Sequence, residues 1–127
     1  MTRAIADTSI FVARESGREL GPLPDEIAVS VVTAAELELG VLRAAGAEAR
    51  ALRLATLSRV RSTYALLPVD PETGSCFARL AASALSEGRK LRRHDTWIAA
   101  TALRHGAAVV TQDQDFSQFD AVEVIFA

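Results

Sequence analysis

The chain reads as an α/β domain with a mostly parallel central sheet of about five strands, flanked by helices on both faces. Three observations predict this. Short β-type apolar runs alternate with longer runs of helical spacing, glycine or proline closes most of the helical runs, and no linker, repeat or low-complexity tract interrupts the alternation. Strands joined through helices are parallel, and parallel strands are buried on both faces.

A first strand is expected over Arg3 to Ala6, followed by a helix from Asp7 to Ser16 that Gly17 closes. Gly21, Pro22 and Pro24 make a loop before a second strand, Ile27 to Val32. Helical spacing runs from Thr33 to Ala45 and stops at Gly46, then resumes from Ala47 to Tyr64, with Leu52, Leu57 and Val60 on the apolar side. Ala65 to Val69 is the expected third strand, ended by Pro71, and Glu72 to Glu87 a helix stopped by Gly88. After the basic loop Arg89 to His94 a helix spans Asp95 to His105, with Gly106 as its stop. Ala107 to Thr111 and Val122 to Phe126 are the last two strands.

At 127 residues the chain has the size of one domain, residues 1–127. With 50% hydrophobic and 24% charged residues it has an ordinary globular composition, which excludes disordered and fibrous classes. No apolar run approaches the roughly 18 residues of a membrane span. Asp7 interrupts the apolar stretch Ala4 to Val12 before a signal-peptide core forms, so a cytoplasmic protein is expected. The single cysteine, Cys76, reads as a small buried apolar residue.

The net charge of −2 conceals two basic islands. Residues 41–64 hold Arg43, Arg50, Arg53, Arg59 and Arg61 against Glu48 alone, and residues 89–105 hold Arg89, Lys90, Arg92, Arg93 and Arg104 against Asp95 alone. The protein is therefore no general polyanion binder, but it has local surfaces suited to phosphate.

In an open parallel sheet, ligands bind beyond the carboxyl ends of the strands. Asp7 follows the first strand, Glu36 lies in the first turn of the helix after the second, Asp95 begins the helix after the basic loop, and Asp113, with Asp115 close behind, follows the fourth strand. Two carboxylates about 5 Å apart repel by roughly 3 kcal/mol at an effective dielectric near 20, so a cation belongs among them. Oxygen-only donors suit Mg²⁺ or Mn²⁺, ions that activate water and stabilise a phosphodiester's leaving oxygen. The alternative is structural: Asp7 and Asp95 as helix N-caps, and Thr33-Ala34-Ala35-Glu36 as a capping box.

Four segments together carry a resemblance. They are Ala6-Asp7-Thr8-Ser9, Val31-Val32-Thr33-Ala34-Ala35-Glu36-Leu37 with Gly40, His94-Asp95-Thr96-Trp97-Ile98-Ala99-Ala100, and Val110-Thr111-Gln112-Asp113-Gln114-Asp115-Phe116. In this order, over nearly the whole chain, they resemble PIN-domain ribonucleases, and most closely the VapC toxins of bacterial type II toxin–antitoxin modules. The resemblance implies a PIN fold and a Mg²⁺- or Mn²⁺-dependent endoribonuclease that cuts structured RNA such as tRNA or ribosomal RNA. It also implies a homodimer and inhibition by a cognate VapB-type antitoxin. By position, Asp7, Glu36, Asp95 and Asp113 match the family's catalytic and metal-binding acids, and Asp115 matches a further metal-binding acid frequent in the same turn, either Asp113 or Asp115 being the closer ligand. Thr8, Ser9 and Thr111 match hydroxyl positions near the metal.

The loop residues Arg89, Lys90, Arg92 and Arg93 stand just before Asp95 and are expected to contact RNA phosphates. His94 is expected to be structural, and Trp97, Ile98, Phe116 and Phe119 to pack in the core. A competing class is a non-catalytic α/β module that binds RNA or protein through its arginines while its acids only cap helices.

Overall fold

The computed structural model describes residues 3–127. In chain order the elements are β1 (Arg3–Ala6), α1 (Thr8–Glu15), β2 (Glu26–Ser30), α2 (Val31–Leu42), α3 (Ala47–Thr63), β3 (Leu66–Leu67), α4 (Pro71–Ser86), α5 (Arg93–His105), β4 (Ala108–Thr111), a 3-10 turn (Gln114–Gln118) and β5 (Val124–Phe126). All strand pairs are parallel and the sheet order is β3-β2-β1-β4-β5.

Side chains of a strand alternate between faces, and the two cores follow that period. Ala4 and Ala6 of β1, with Val110 of β4, join Ile10, Phe11, Leu37, Val41, Leu57 and Val60 under α1, α2 and α3. Ile5 and Val109 face the other way, onto Cys76, Leu80, Ile98, Ala99, Phe116 and Phe119. Trp97 stacks on Phe77 with ring centroids 3.9 Å apart, pinning α5 to α4.

This strand order has a consequence for ligands. From β1 the chain moves outward through β2 to β3, then crosses back to place β4 and β5 on the opposite side of β1. The reversal lies between β1 and β4, and in doubly wound sheets the crevice at the carboxyl ends of such a pair is where ligands bind.

Several boundaries differ from expectation. The second strand stops at Ser30 because its hydroxyl accepts from the Val32 backbone N–H at 3.1 Å and caps α2. The β-branched pair Val31-Val32, which reads as strand, is thus the first turn of a helix. Thr33 is therefore inside α2 and fully buried, no capping box forms there, and Glu36 lies in the second turn instead of the first. The third strand is only Leu66–Leu67, since Pro68 follows and cannot donate to a ladder. Helix α5 begins at Arg93, so Arg93 and His94 belong to the helix, and Asp95 is in its first turn without being its N-cap. Leu52 does not join the core but is 54% exposed.

Candidate active site

Asp7 leaves β1 at its carboxyl end and caps α1, its Oδ2 accepting from the Ser9 N–H at 3.3 Å. It is also 4% exposed and takes a second, shorter bond from the Thr111 hydroxyl at 2.8 Å. A solvated cap needs neither burial nor a hydroxyl donor from another strand, so capping accounts for only part of its environment. Its other oxygen, Oδ1, has no hydrogen-bond partner among the described residues.

Glu36 projects from α2 to the same edge. Its Oε1 accepts from the Thr8 hydroxyl at 2.8 Å, and Thr8 is itself 3.2 Å from the Thr33 hydroxyl. His94 Nδ1 lies 3.4 Å from Glu36 Oε2, so this exposed ring overhangs the acid instead of serving the fold. Sequence reading misses this because the pairing depends on the angle at which α5 meets α2.

Asp95 shows that the acids converge. Burial first, and then the charges of Asp7, Asp113 and Glu36, together push its carboxyl up to about 6 against the pull of the Arg92 guanidinium. Asp113 follows β4. Its N–H donates to the Thr111 hydroxyl at 2.9 Å, and its Oδ1 caps the 3-10 turn through the Asp115 N–H at 2.9 Å. Asp115 itself is half-exposed and paired with Arg92 at 2.9 Å.

The remaining expected contacts divide. Arg92 and Arg93 line an open groove of about 460 Å³ with Glu36, Leu91, His94 and Asp95. Arg89 does not reach it: its guanidinium is held by the Gln118 carbonyl at 3.0 Å and by Glu87 at 3.2 Å. Lys90 is exposed on the same loop. A second cavity of about 300 Å³ opens at the amino ends of β1 and β2, where Glu26 is already paired with Arg3 at 3.6 Å.

Among the described residues no three acids yet stand in a geometry that would hold an ion. The donor chemistry nevertheless fits one. Asp7, Asp95 and Asp113 have no arginine or lysine within ion-pair distance among the described residues, and the only donors at hand are oxygens. The charge repulsion at Asp95 is what a hard divalent cation would relieve.

Comparison with known proteins gives the family. The PIN domain profile matches residues 4–122. The chain is 46% identical to ribonuclease VapC5 of Mycobacterium tuberculosis over 95% of this chain and 93% of that protein. It is 41% identical to ribonuclease VapC4 of the same organism, over 97% and 95% of the two chains. A chain in the crystal structure of VapBC-5 from Mycobacterium tuberculosis, a member of the VapBC family of toxin-antitoxin systems, superimposes with a TM-score of 0.87, covering 100% of both chains at 41% identity. With Asp7, Glu36, Asp95 and Asp113 gathered where a parallel sheet reverses its strand order, and with relatives this similar over nearly their full length, the chain belongs to the PIN-domain family and, within it, to the VapC ribonucleases.

Proposed function

We propose that this protein is the toxin of a VapBC-type toxin–antitoxin module, an endoribonuclease that uses Mg²⁺ or Mn²⁺ to cut structured RNA, tRNA or ribosomal RNA. The observation that carries the reading is the hydroxyl lattice at this sheet edge, in which Thr111 ties Asp7 to the Asp113 backbone and Thr8, next to Asp7, holds Glu36. Asp7, Glu36, Asp95 and Asp113 would hold the ion, which supplies an activated water and charge stabilisation at the phosphodiester.

The chain's own groups have separable tasks. Thr111 and Ser9 fix Asp7 through Oδ2, which leaves Oδ1 for the ion. Thr8 fixes Glu36 in the same manner through Oε1. Arg92, Arg93 and Lys90 lie along the groove rim and its loop, where guanidinium and ammonium groups bind successive phosphates without reading bases. The openness of the groove suits a macromolecular substrate better than an enclosed metabolite.

The relatives' context extends the reading: the VapBC-5 structure is described as a toxin-antitoxin system, so a VapB-type antitoxin is the proposed inhibitor. A homodimer acting in the cytoplasm completes the proposal. No helix among the described residues is long and apolar enough to cross a membrane.

The test is incubation of the purified chain with total tRNA and ribosomal RNA, with Mn²⁺ and with chelator, followed by mapping of the ends. Cleavage that requires the ion supports the proposal. RNA binding without cleavage under either condition would instead favour the non-catalytic module.

A further inference from the structure

The turn that follows β4 carries two acids two residues apart, Asp113 and Asp115, and the structure gives them different surroundings. Asp113 lies beside Asp7: its N–H donates at 2.9 Å to the same Thr111 hydroxyl that donates to Asp7 Oδ2 at 2.8 Å. Asp115 faces Arg92, whose Nη2 is 2.9 Å from its Oδ2. Among the described residues, Asp115 alone of the five acids at this edge is paired with an arginine.

Arg92 needs such a partner. It is the N-cap residue of α5, and that helix start has no side-chain cap hydrogen bond. The amino end of a helix carries a partial positive charge, so a guanidinium there is repelled by the dipole. It also lines the same groove as Asp95, whose negative carboxylate attracts it inward. Left alone, Arg92 has reason to fold onto the acids and occupy the place of the ion. Asp115 opposes that movement from outside. Its own position is fixed independently of its side chain, because its N–H is bound to Asp113 Oδ1 and its carbonyl accepts from Gln118 Nε2 at 3.1 Å. A second tie, Arg89 to the Gln118 carbonyl, holds the loop against the same turn.

A guanidinium has five N–H donors. Asp115 engages the Arg92 guanidinium through one oxygen, and both side chains are nearly half-exposed, at 44% and 48%. Arg92 lines the groove, and the rest of its planar fork matches phosphate.

We infer that Asp115 is a positioning residue that holds Arg92 outward as a phosphate hook, while Asp113 alone of the pair belongs to the ion site. The inference rests on the ribonuclease reading and divides its labour further. It also separates two acids that sequence spacing treats as equivalent.

The test uses the full chain and four variants, Asp115→Asn, Arg92→Gln, their double, and Asp113→Asn. Mn²⁺ affinity is measured by titration without RNA, and tRNA affinity in chelator, where no cleavage occurs, across an ionic-strength series. Asp113→Asn should weaken Mn²⁺ binding at least tenfold, whereas Asp115→Asn should leave it within about twofold of wild type, ligand loss and partner loss being different in kind. Asp115→Asn and Arg92→Gln should each weaken tRNA binding severalfold and reduce the salt slope by up to about 1, the signature of one lost phosphate contact. Their double should be no weaker than Arg92→Gln alone, because one acts through the other. Asp115→Glu should restore most of the affinity.

If Asp115→Asn weakens Mn²⁺ binding as much as Asp113→Asn does, Asp115 is a ligand and the inference is overturned. It is equally overturned if tRNA affinity and salt slope stay at wild-type values in Asp115→Asn. Failure of the ribonuclease reading looks different: the wild-type chain then binds no Mn²⁺ and cuts no RNA, whatever residue 115 is.

Discussion

The Thr111 hydroxyl donates to Asp7 Oδ2 at 2.8 Å, across the seam where β1 and β4 pair. A hydroxyl has one proton, so the other contacts of Thr111 Oγ1 are acceptances, from the Asp113 N–H at 2.9 Å and from the Ser9 hydroxyl at 3.1 Å. Ser9 Oγ in turn accepts from the Gln112 N–H at 2.9 Å. Every proton in this chain of bonds points toward Asp7, which is therefore fixed in orientation.

Thr111→Val preserves shape and removes the donor. It should destabilise the protein by about 1–3 kcal/mol, as expected when a buried acceptor loses its partner. It should also weaken Mn²⁺ binding roughly 10–100-fold, the usual effect of removing a group that orients a ligand. Thr111→Ser should restore both. Unfolding curves and metal titrations equal to wild type for Thr111→Val would remove the relay from the account.

Asp95 makes stability depend on pH with a definite sign. Its carboxyl titrates near 6 in the folded chain against 3.8 ordinarily, so the folded state holds the proton more tightly. Its contribution is complete below the lower value and is lost as pH rises through the upper one. In chelator, Asp95→Asn should therefore melt above wild type at pH 7, and the difference should shrink steadily toward pH 4. Mn²⁺ should stabilise wild type at pH 7 and leave Asp95→Asn nearly unmoved. A difference between variant and wild type that does not change with pH would mean Asp95 is not held among other acids.

Two arginines of the basic loop should separate by function. Arg89→Ala removes bonds to the Gln118 carbonyl and to Glu87, costing about 1 kcal/mol of stability while leaving the salt dependence of tRNA binding alone. Arg93→Ala should do the reverse, leaving the melting temperature within about a degree and lowering the log–log salt slope by about 1. Identical behaviour of the two variants would contradict this division.

The start of α2 is testable through its cap. Ser30→Ala removes the acceptor for the Val32 N–H and should cost about 1–2 kcal/mol. Equilibrium unfolding of this variant measures where the helix begins: no loss of stability would place the cap elsewhere, as the unrealised box at Thr33 would require.

Much of this was readable from residue order because local chemistry decided it. Asp7 after an apolar strand and Gly106 in the left-handed conformation at the end of α5 are decisions a few neighbouring residues settle. What was not readable was set by distant partners. Val31-Val32 reads as strand because β-branching favours it, and only the Ser30 hydroxyl turns it into a helix. The role of Thr33 depends on Thr8, a residue on another helix. Arg89 and Arg92 look alike in a basic run, yet their different partners, Gln118 and Asp115, lie in a turn that no spacing within the loop reveals.

The central place of β1 bears on how the toxin comes into being. Its second neighbour is β4, so one edge of this strand stays open until residues far later along the chain cover it. Until Thr111 and Asp113 have emerged, a half-made chain carries Asp7 and Glu36 with nothing to complete them. The seam between β1 and β4 is thus the closing step of the fold, and the carboxylate edge is built only with it.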